Sequence, residues 1–484
     1  MKTKQIMKTN GKALQMTRAP QITCKYIEEP SLLFAEGYQH IDPRYGILAA
    51  GPKSYAPLDK HPSQIRVGLI GSAETIDKAR QWIERGADGV DGDENYLRFP
   101  GFKNDRGFRS DLLFDDDWLA QLYQTEIDNV MNIRYQRERF DALIDLLDEK
   151  LKLLADKDRP PEYVVLALPD DVYQRCRVAD YIDKELGRVH RDLRRVFKVR
   201  AMKYRLPTQI LRQLTIEDRT GDVIPKIYWN FFTGLYFKAG GSPWGPMDLT
   251  PGSCYVGISF FRPIGTAFTR MQTSLVQAFD EHGDGLVLRG YEFDWDSDQE
   301  GTPSPHLTEE QAHQLIELVL DRYIAEMGQT PQRVVVHKTS RYWPQERKGI
   351  TDALRKYVRR YDLMALAPQS IVRLITTNKY PPLRGTHFSV EDIDYLYTTG
   401  YVSELGKFHG MHVPSPIQIA DHIGQDTPRN RLLKEILILT KMNWNSSRLG
   451  GLMPITIRFS RLVGDIMREI PATQEPLTNF KYYM

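Results

Sequence analysis

Three short apolar runs limit what this chain can fold into more than any other feature. They are Gln64-Ile-Arg-Val-Gly-Leu-Ile-Gly71, Tyr163-Val-Val-Leu-Ala-Leu-Pro169 and Arg333-Val-Val-Val-His-Lys338. Each is strand-length and almost continuously apolar, so each reads as a strand buried on both faces, the pattern of a parallel sheet. Ser72 stands where a helix from Glu74 to Arg85 needs its cap, giving the strand–turn–helix unit of doubly wound sheets. The lone Gly71 at that turn reads as a packing glycine rather than a phosphate loop, because the rest of a Gly-x-Gly-x-x-Gly pattern is missing. Asp115 to about Lys157 reads as helical. Within it Phe140, Leu143, Ile144, Leu147, Leu151 and Leu154 recur at three- and four-residue steps, a core-facing stripe. Earlier, Ser31-Leu-Leu-Phe and Gly46-Ile-Leu read as short strand-like pieces.

From about Gly241 the pattern changes. Cys254 to Phe261 is a strand, a second follows within Thr266–Phe279, and Gly285-Leu-Val-Leu-Arg-Gly is a third. A Gly-Asp-Gly turn at 283–285 makes this an antiparallel meander. Thr308-Glu-Glu opens a capped helix. The strand at 333–338 comes next, then a helix over 346–360 and a strand over 361–367. A last helix follows Pro454 and runs to Glu469. The tail Phe480-Lys-Tyr-Tyr-Met484 is apolar to its final residue, the kind of end that is tied down against the body.

The chain of 484 residues has room for two to three domains. Its formal net charge is only +2, so a nucleic-acid site has to be a local patch. The crowd of cations from Lys184 to Arg205 is the candidate. By itself it reads either as a solvated helix face or as a phosphate-binding stripe, and its place between Tyr173 and Gln209 favours the stripe. No apolar run approaches the roughly 18–20 residues that span a bilayer, and no apolar segment follows Met-Lys-Thr-Lys as in a secretory leader. Cys24, Cys176 and Cys254 are scattered, without Cys-x-x-Cys spacing, and read as reduced thiols with no zinc site. A cytoplasmic protein is expected. Asp88, Asp91, Asp93 and Glu94 lack the EF-hand spacing and read as a solvated loop.

The most informative stretch runs from Thr208 to Ser259. Pro207 fixes a turn, and Gln209 is expected to open a helix with Ile210, Leu211 and Leu214 on one face. Gly-Leu-Tyr-Phe-Lys-Ala-Gly-Gly at 234–241 ends a helix, with Lys238 in the last turn. Tyr255-Val-Gly-Ile-Ser259 lies in a buried strand. A Gln at a helix start, a Lys-x-Gly-Gly at a helix end and a strand reading Gly-x-Asp form the pattern of the Argonaute/PIWI family. This stretch resembles it, except that the Asp position falls on Ser259. Upstream, Val165-Leu-Ala-Leu-Pro169 followed by Tyr173 and Arg177 is similar to the family's MID strand and nucleotide loop. Downstream, the order βββ-α-β-α-β is similar to the ribonuclease H-like core of PIWI domains. The resemblance implies an α/β protein with a Rossmann-like MID domain and N-terminal extension over 1–240, then a ribonuclease H-like PIWI domain over 241–484.

The resemblance also implies a site. Tyr173 would stack on the first base of a guide strand, and Arg177, Gln209 and Lys238 would hold its 5′ phosphate. Lys203, Arg205 and Lys226 would be further backbone contacts. Such a phosphate wants charge-assisted donors from several directions. Base–aromatic stacking is sequence-tolerant and worth roughly 1–3 kcal/mol. A second lysine of many relatives falls on Gly234. The missing charge is expected from a Mg²⁺ ion held by Gln209 and a C-terminal carboxylate at Met484. Active PIWI domains use carboxylates around two Mg²⁺ ions. Those positions fall on Ser259, Thr339 and Arg461, so the cutting centre reads as lost, with Lys338 and Arg461 expected to repel metals. Asp280, Glu281, Asp284, Asp294 and Asp296 read as solvated charge, the alternative being an active guide-directed endonuclease built on them. With no room for N and PAZ domains before the MID-like strand, the chain is similar to short prokaryotic Argonautes with an inactive PIWI domain. That implies a protein without enzyme activity of its own. It would bind a short 5′-phosphorylated guide RNA and recognise complementary target DNA. It would then activate a partner chain carrying an APAZ domain fused to a TIR, Sir2 or nuclease effector, in defence against plasmids or phage.

Overall fold

The computed structural model describes residues 21–484 apart from 57–59, 95, 185–186, 265–269, 280–284, 303, 369–370, 378, 407, 409–412, 425–426 and 472–473. The first strand, β1 (Ile22–Tyr26), joins the sheet of the second half. The sheet of the first half is wholly parallel. It contains β2 (Gln64–Gly71), β3 (Asp111–Leu113), β4 (Leu119–Gln121), β5 (Tyr163–Ala167) and β6 (Thr208–Ile210) in the order β6–β5–β2. β3 and β4 lie end to end along the far edge of β2. The two apolar runs are thus neighbours, and every residue of β5 is buried.

Around this sheet pack α1 (Ala73–Asp88), α2 (Gln136–Ala155), α3 (Asp170–Cys176), α4 (Leu193–Met202) and α5 (Ile224–Lys238). Ser72 caps α1 by accepting from the Thr75 amide. Gly71 is needed for packing, since a Cβ there would lie 2.3 Å from the Ala167 carbonyl oxygen.

In the second half β7 (Ser253–Phe261), β8 (Arg270–Phe279) and β9 (Gly285–Asp294) form the antiparallel meander. The expected turn at 283–285 lies outside the described residues, apart from Gly285, which opens β9. β10 (Arg333–Lys338) runs parallel to β7 on its other side, and β11 (Arg360–Ala367) parallel to β10. The order β9–β8–β7–β10–β11, with α6 (Glu309–Met327) and α7 (Pro344–Tyr357) as crossovers, is the ribonuclease H-like arrangement. β12 (Thr386–Val390), β13 (Ile393–Leu396) and β14 (Ile417–Ile423) extend it as β11–β14–β13–β12, and β1 completes nine strands. After α8 (Arg429–Leu439), the first turn of α9 (Ile455–Met467) lies directly on β7. A Cβ on Gly257 would sit 2.2 Å from the Thr456 carbonyl oxygen. One apolar core runs from α1 and α5 through β5 and β7 to α9 and the tail, where Tyr483 and Met484 are buried.

Four local expectations are corrected. Gly46-Ile-Leu lies in a helix, Pro43–Ala50, because Asp42 caps it and Pro43 pre-sets its first turn. Gln209 lies in β6, since the chain after Pro207 finds the free edge of β5 before any helical turn closes. The helical turn comes later, at Gln213–Ile216. The region 115–157 is broken, because β4 pairs with the end of β2 ahead of a helix at Gln124–Met131 and then α2. The basic run is split between the hairpin Val178–Asp183/Gly187–Asp192 and α4.

Candidate nucleic-acid interface

α5 is mostly apolar, and the lysine that ends it points inward. Lys238 is fully buried. Its Nζ donates to Gln209 Oε1 at 2.7 Å and to the Thr208 carbonyl at 3.1 Å, both on β6. It also lies 5.7 Å over the Tyr163 ring. From α4, the buried Lys198 donates to the same Thr208 carbonyl at 3.1 Å and to the main-chain oxygen of Met484. Two ammonium groups therefore converge on one carbonyl oxygen, and among the described residues no Asp or Glu side chain pairs with either. Burial first, and the Arg194 charge second, pull the Lys238 pKa down to about 7. Lys198 is pushed well below its ordinary value by burial, with Lys238 and then Arg194 adding to it. Buried lysines without a paired Asp or Glu side chain are costly to keep charged, and an incoming anion relieves that cost.

Beside Gln209 opens a cleft of about 570 Å³ whose basic walls are Arg194, Arg212, Arg219 and Lys226. Arg219 is matched by Glu217 and Lys226 by Asp222, each at 2.8 Å. Among the described residues Arg194 and Arg212 have no carboxylate at ion-pair distance. Arg194 opens onto the cleft, yet the protein enclosing it lowers its pKa against the pull of Asp192. The Arg212 guanidinium lies 5.4 Å over the Tyr173 ring.

The structure brings Gln209 and Lys238 into contact and puts Gln209 and Lys226 on the cleft wall. Tyr173, half-buried in α3, reaches the cleft through Arg212. Arg177 follows α3 with an exposed side chain and does not line the cleft. Lys203 is held by Asp148 at 3.3 Å, and Arg205 is exposed just beyond α4; neither lines the cleft. Much of the basic run is neutralised: Arg191 pairs with Asp141 and Glu469, Arg195 with Asp465, and Arg200 with Asp145. Arg212 was missed by sequence reasoning, and Lys198 and Arg194 were seen only as members of the basic run 184–205, without a place in the pocket. What sets Lys198 apart within that run is its setting between Phe197 and Val199, both buried.

At the PIWI-like centre, Gly257 of β7 is paired with His337 of β10. Ser259 and Thr339 each lie two residues further on, at the carboxyl ends of adjacent parallel strands. Arg461 is exposed on α9. The expected metal-repelling charge at Lys338 is corrected. Lys338 is buried, and its Nζ donates to both oxygens of Glu346 at 2.6 and 2.7 Å. Glu346 also accepts from the Leu307 amide and lies 2.8 Å from His306 Nδ1. Asp294 is exposed, and the Asp296 side chain caps the turn Ser297–Glu300. Asp280, Glu281 and Asp284 lie outside the described residues. Among the described residues no group of three His, Cys, Asp or Glu could hold a metal ion.

No protein-family model matches this sequence, and no curated protein matches it. Solved structures do match, each over 95% of the chain. Clostridium butyricum Argonaute, bound to a guide DNA and a 19-mer target DNA, aligns with a TM-score of 0.65 at 16% identity over 54% of its own length. A. aeolicus Argonaute aligns at 0.60 and 15% over 55% of its length, and Drosophila Piwi at 0.56 and 14% over 56%. This chain has the Argonaute fold. Its parallel sheet is the MID domain and its nine-stranded sheet carries the ribonuclease H-like PIWI domain. The chain spans a little over half the length of these Argonaute structures. Among the described residues no helix is long and apolar enough to cross a membrane.

Proposed function

We propose that this chain holds the 5′-phosphorylated end of a short guide strand in the cleft beside Gln209 and Lys238, and presents that guide to complementary DNA. The observation that carries this reading is the lysine pair at the edge of a parallel sheet, beneath a cleft with two unmatched arginines. Ligands of α/β sheets bind beyond the carboxyl ends of the strands, where Ile210, Leu211 and Arg212 lead from β6 into the cleft, and a terminal phosphate supplies negative charge to the lysines. Tyr173, backed by Arg212, offers a stacking face for the first base. Base pairing then reads sequence while the protein reads the strand end and backbone.

The PIWI-like half, in this reading, recognises without cutting. Hard divalent ions want anionic oxygens, and the two strand-end positions offer the hydroxyls of Ser259 and Thr339. The remaining parts rest on the family resemblance alone. They are RNA as the guide, an APAZ-bearing partner with a TIR, Sir2 or nuclease effector, and a role in plasmid or phage defence. The test is to load the chain with a short guide and offer labelled complementary and scrambled DNA in Mg²⁺. Selective capture of uncleaved complementary DNA is expected. Equal capture of both strands, or cleavage of the complement, contradicts the reading.

A further inference from the structure

The Mg²⁺ ion expected beside Gln209 and Met484 does not fit this chain, because both oxygens already accept from an ammonium group, Gln209 Oε1 from Lys238 and the Met484 oxygen from Lys198. The Gly234 side of the cleft is met instead by a loop of the PIWI half, between α8 and α9. Asn445 lines the cleft, and its Oδ1 lies 3.5 Å from the place of a Cβ on Gly234. Next to it, Trp444 stacks on Phe237, the neighbour of Lys238, with ring centroids 4.6 Å apart. The Ser447 amide donates to Asn230 Oδ1 at 3.0 Å, and Asn230 lines the cleft as well.

This loop is tied down at its start, Lys441, in two ways. Trp244 Nε1 donates to the Lys441 carbonyl at 3.0 Å, and Trp444 Nε1 donates to the Trp244 carbonyl at 3.1 Å. The other tie is ionic and buried. Glu29, from the segment that follows β1, accepts from Lys441 Nζ and from Arg384 Nε, each at 2.7 Å. Lys441 Nζ also donates to the Pro30 carbonyl at 2.5 Å. Arg384 goes on to the Leu437 carbonyl at 3.0 Å and to Thr440 Oγ1 at 2.9 Å, at the end of α8. Glu29, Arg384 and Lys441 do not line the cleft. An irregular loop is placed only as well as its anchors hold it. A buried ion pair adds little net stability over apolar packing of the same volume; what it can supply is a single arrangement of the chain.

We propose that Glu29 is a positioning residue of the guide-end cleft. Through Lys441 it fixes the loop from Lys441 to Ser447, so that Trp444 and Asn445 stand against the last turns of α5 beside Lys238. The inference rests on the reading of the cleft as a 5′-phosphate site. It ties that site to the N-terminal segment, and so to the outermost strand of the nine-stranded sheet, through one carboxylate.

The experiment measures the affinity of the full chain at fixed salt for a short strand carrying a 5′-phosphate or a 5′-hydroxyl. The proteins are the wild type, Glu29→Gln, Lys441→Met and the double variant, each checked for folding by thermal melts. Lys441→Met cuts the same tie from its other end and leaves Glu29 matched by Arg384, so it keeps the test open if Glu29→Gln does not fold. Each single variant is expected to lose about fivefold or more of the 5′-phosphate preference, with 5′-hydroxyl affinity held within about twofold. The double variant is expected to lose no more than the weaker single one, because both act through one contact. An unchanged preference in the folded variants overturns the inference and leaves the site reading intact. An equal fall for both strands also overturns it, since Glu29 would then hold the fold alone. No preference in the wild type overturns the site reading and the inference with it.

Discussion

Replacing Lys238 with methionine should raise stability and lower guide affinity in the same protein. Methionine is unbranched, flexible and apolar, and fits the volume of a buried lysine. Lys238 is charged in the unfolded chain at pH 7.5, but in the fold its pKa is about 7. Folding therefore carries a cost of roughly 4 kcal/mol for that group, from about 1.4 kcal/mol per unit of displacement. The sign follows: the fold binds fewer protons than the unfolded chain from about pH 7 upward, so this penalty shrinks as pH rises towards the unfolded value. The substitution removes the penalty and also two hydrogen bonds, to Thr208 and Gln209, each worth about 1 kcal/mol. Thr208 keeps its bond from Lys198. The net expectation is a gain of about 2 kcal/mol, read as a melting temperature a few degrees higher. The charge-assisted contact to phosphate is lost, at about 2–3 kcal/mol, or roughly 30- to 150-fold in Kd for a 5′-phosphorylated strand. Melting curves and binding titrations at one pH and salt check both numbers. A variant that melts lower and binds equally well would refute the reasoning, because Lys238 would then be a structural lysine.

Guide affinity should also fall as pH rises from about 7 to 9, because the Lys238 ammonium that phosphate requires is increasingly lost above about 7. Lys238→Arg should flatten that profile in titrations at constant ionic strength. Tyr173→Ala should cost roughly 1–3 kcal/mol of guide affinity for any first base, whereas Tyr173→Phe keeps the ring and stays within about threefold. Glu346→Ala should destabilise the chain by roughly 3–5 kcal/mol in denaturant titrations, since it strands the buried Lys338 charge, and should leave the binding of a short 5′-phosphorylated strand unchanged in the remaining folded protein.

The sequence shows strands where neither face meets water. β2, β5 and β10 declare themselves through continuous apolar runs, and their flanking helices follow from caps such as Ser72 and Thr308. β6 is hidden because three residues at a sheet edge carry no periodicity, and only the presence of β5 makes Gln209 a strand residue. Lys238 is legible through its place in Lys-x-Gly-Gly at a helix end. Lys198 is not, because a run of cations looks solvated until the tertiary fold decides which of them turns inward. The same holds for Lys338, whose charge looks available beside Thr339 until Glu346 is found to enclose it.

The most direct measurement of the central claim is a competition at fixed salt between two otherwise identical short strands, one with a 5′-phosphate and one with a 5′-hydroxyl. The lysine pair under the cleft predicts that the phosphorylated strand wins by tenfold or more, about 1.4 kcal/mol or above, and that Lys238→Met abolishes the difference. Equal binding of the two strands by the wild type would contradict the account, leaving the cleft as a basic surface without a guide-end site.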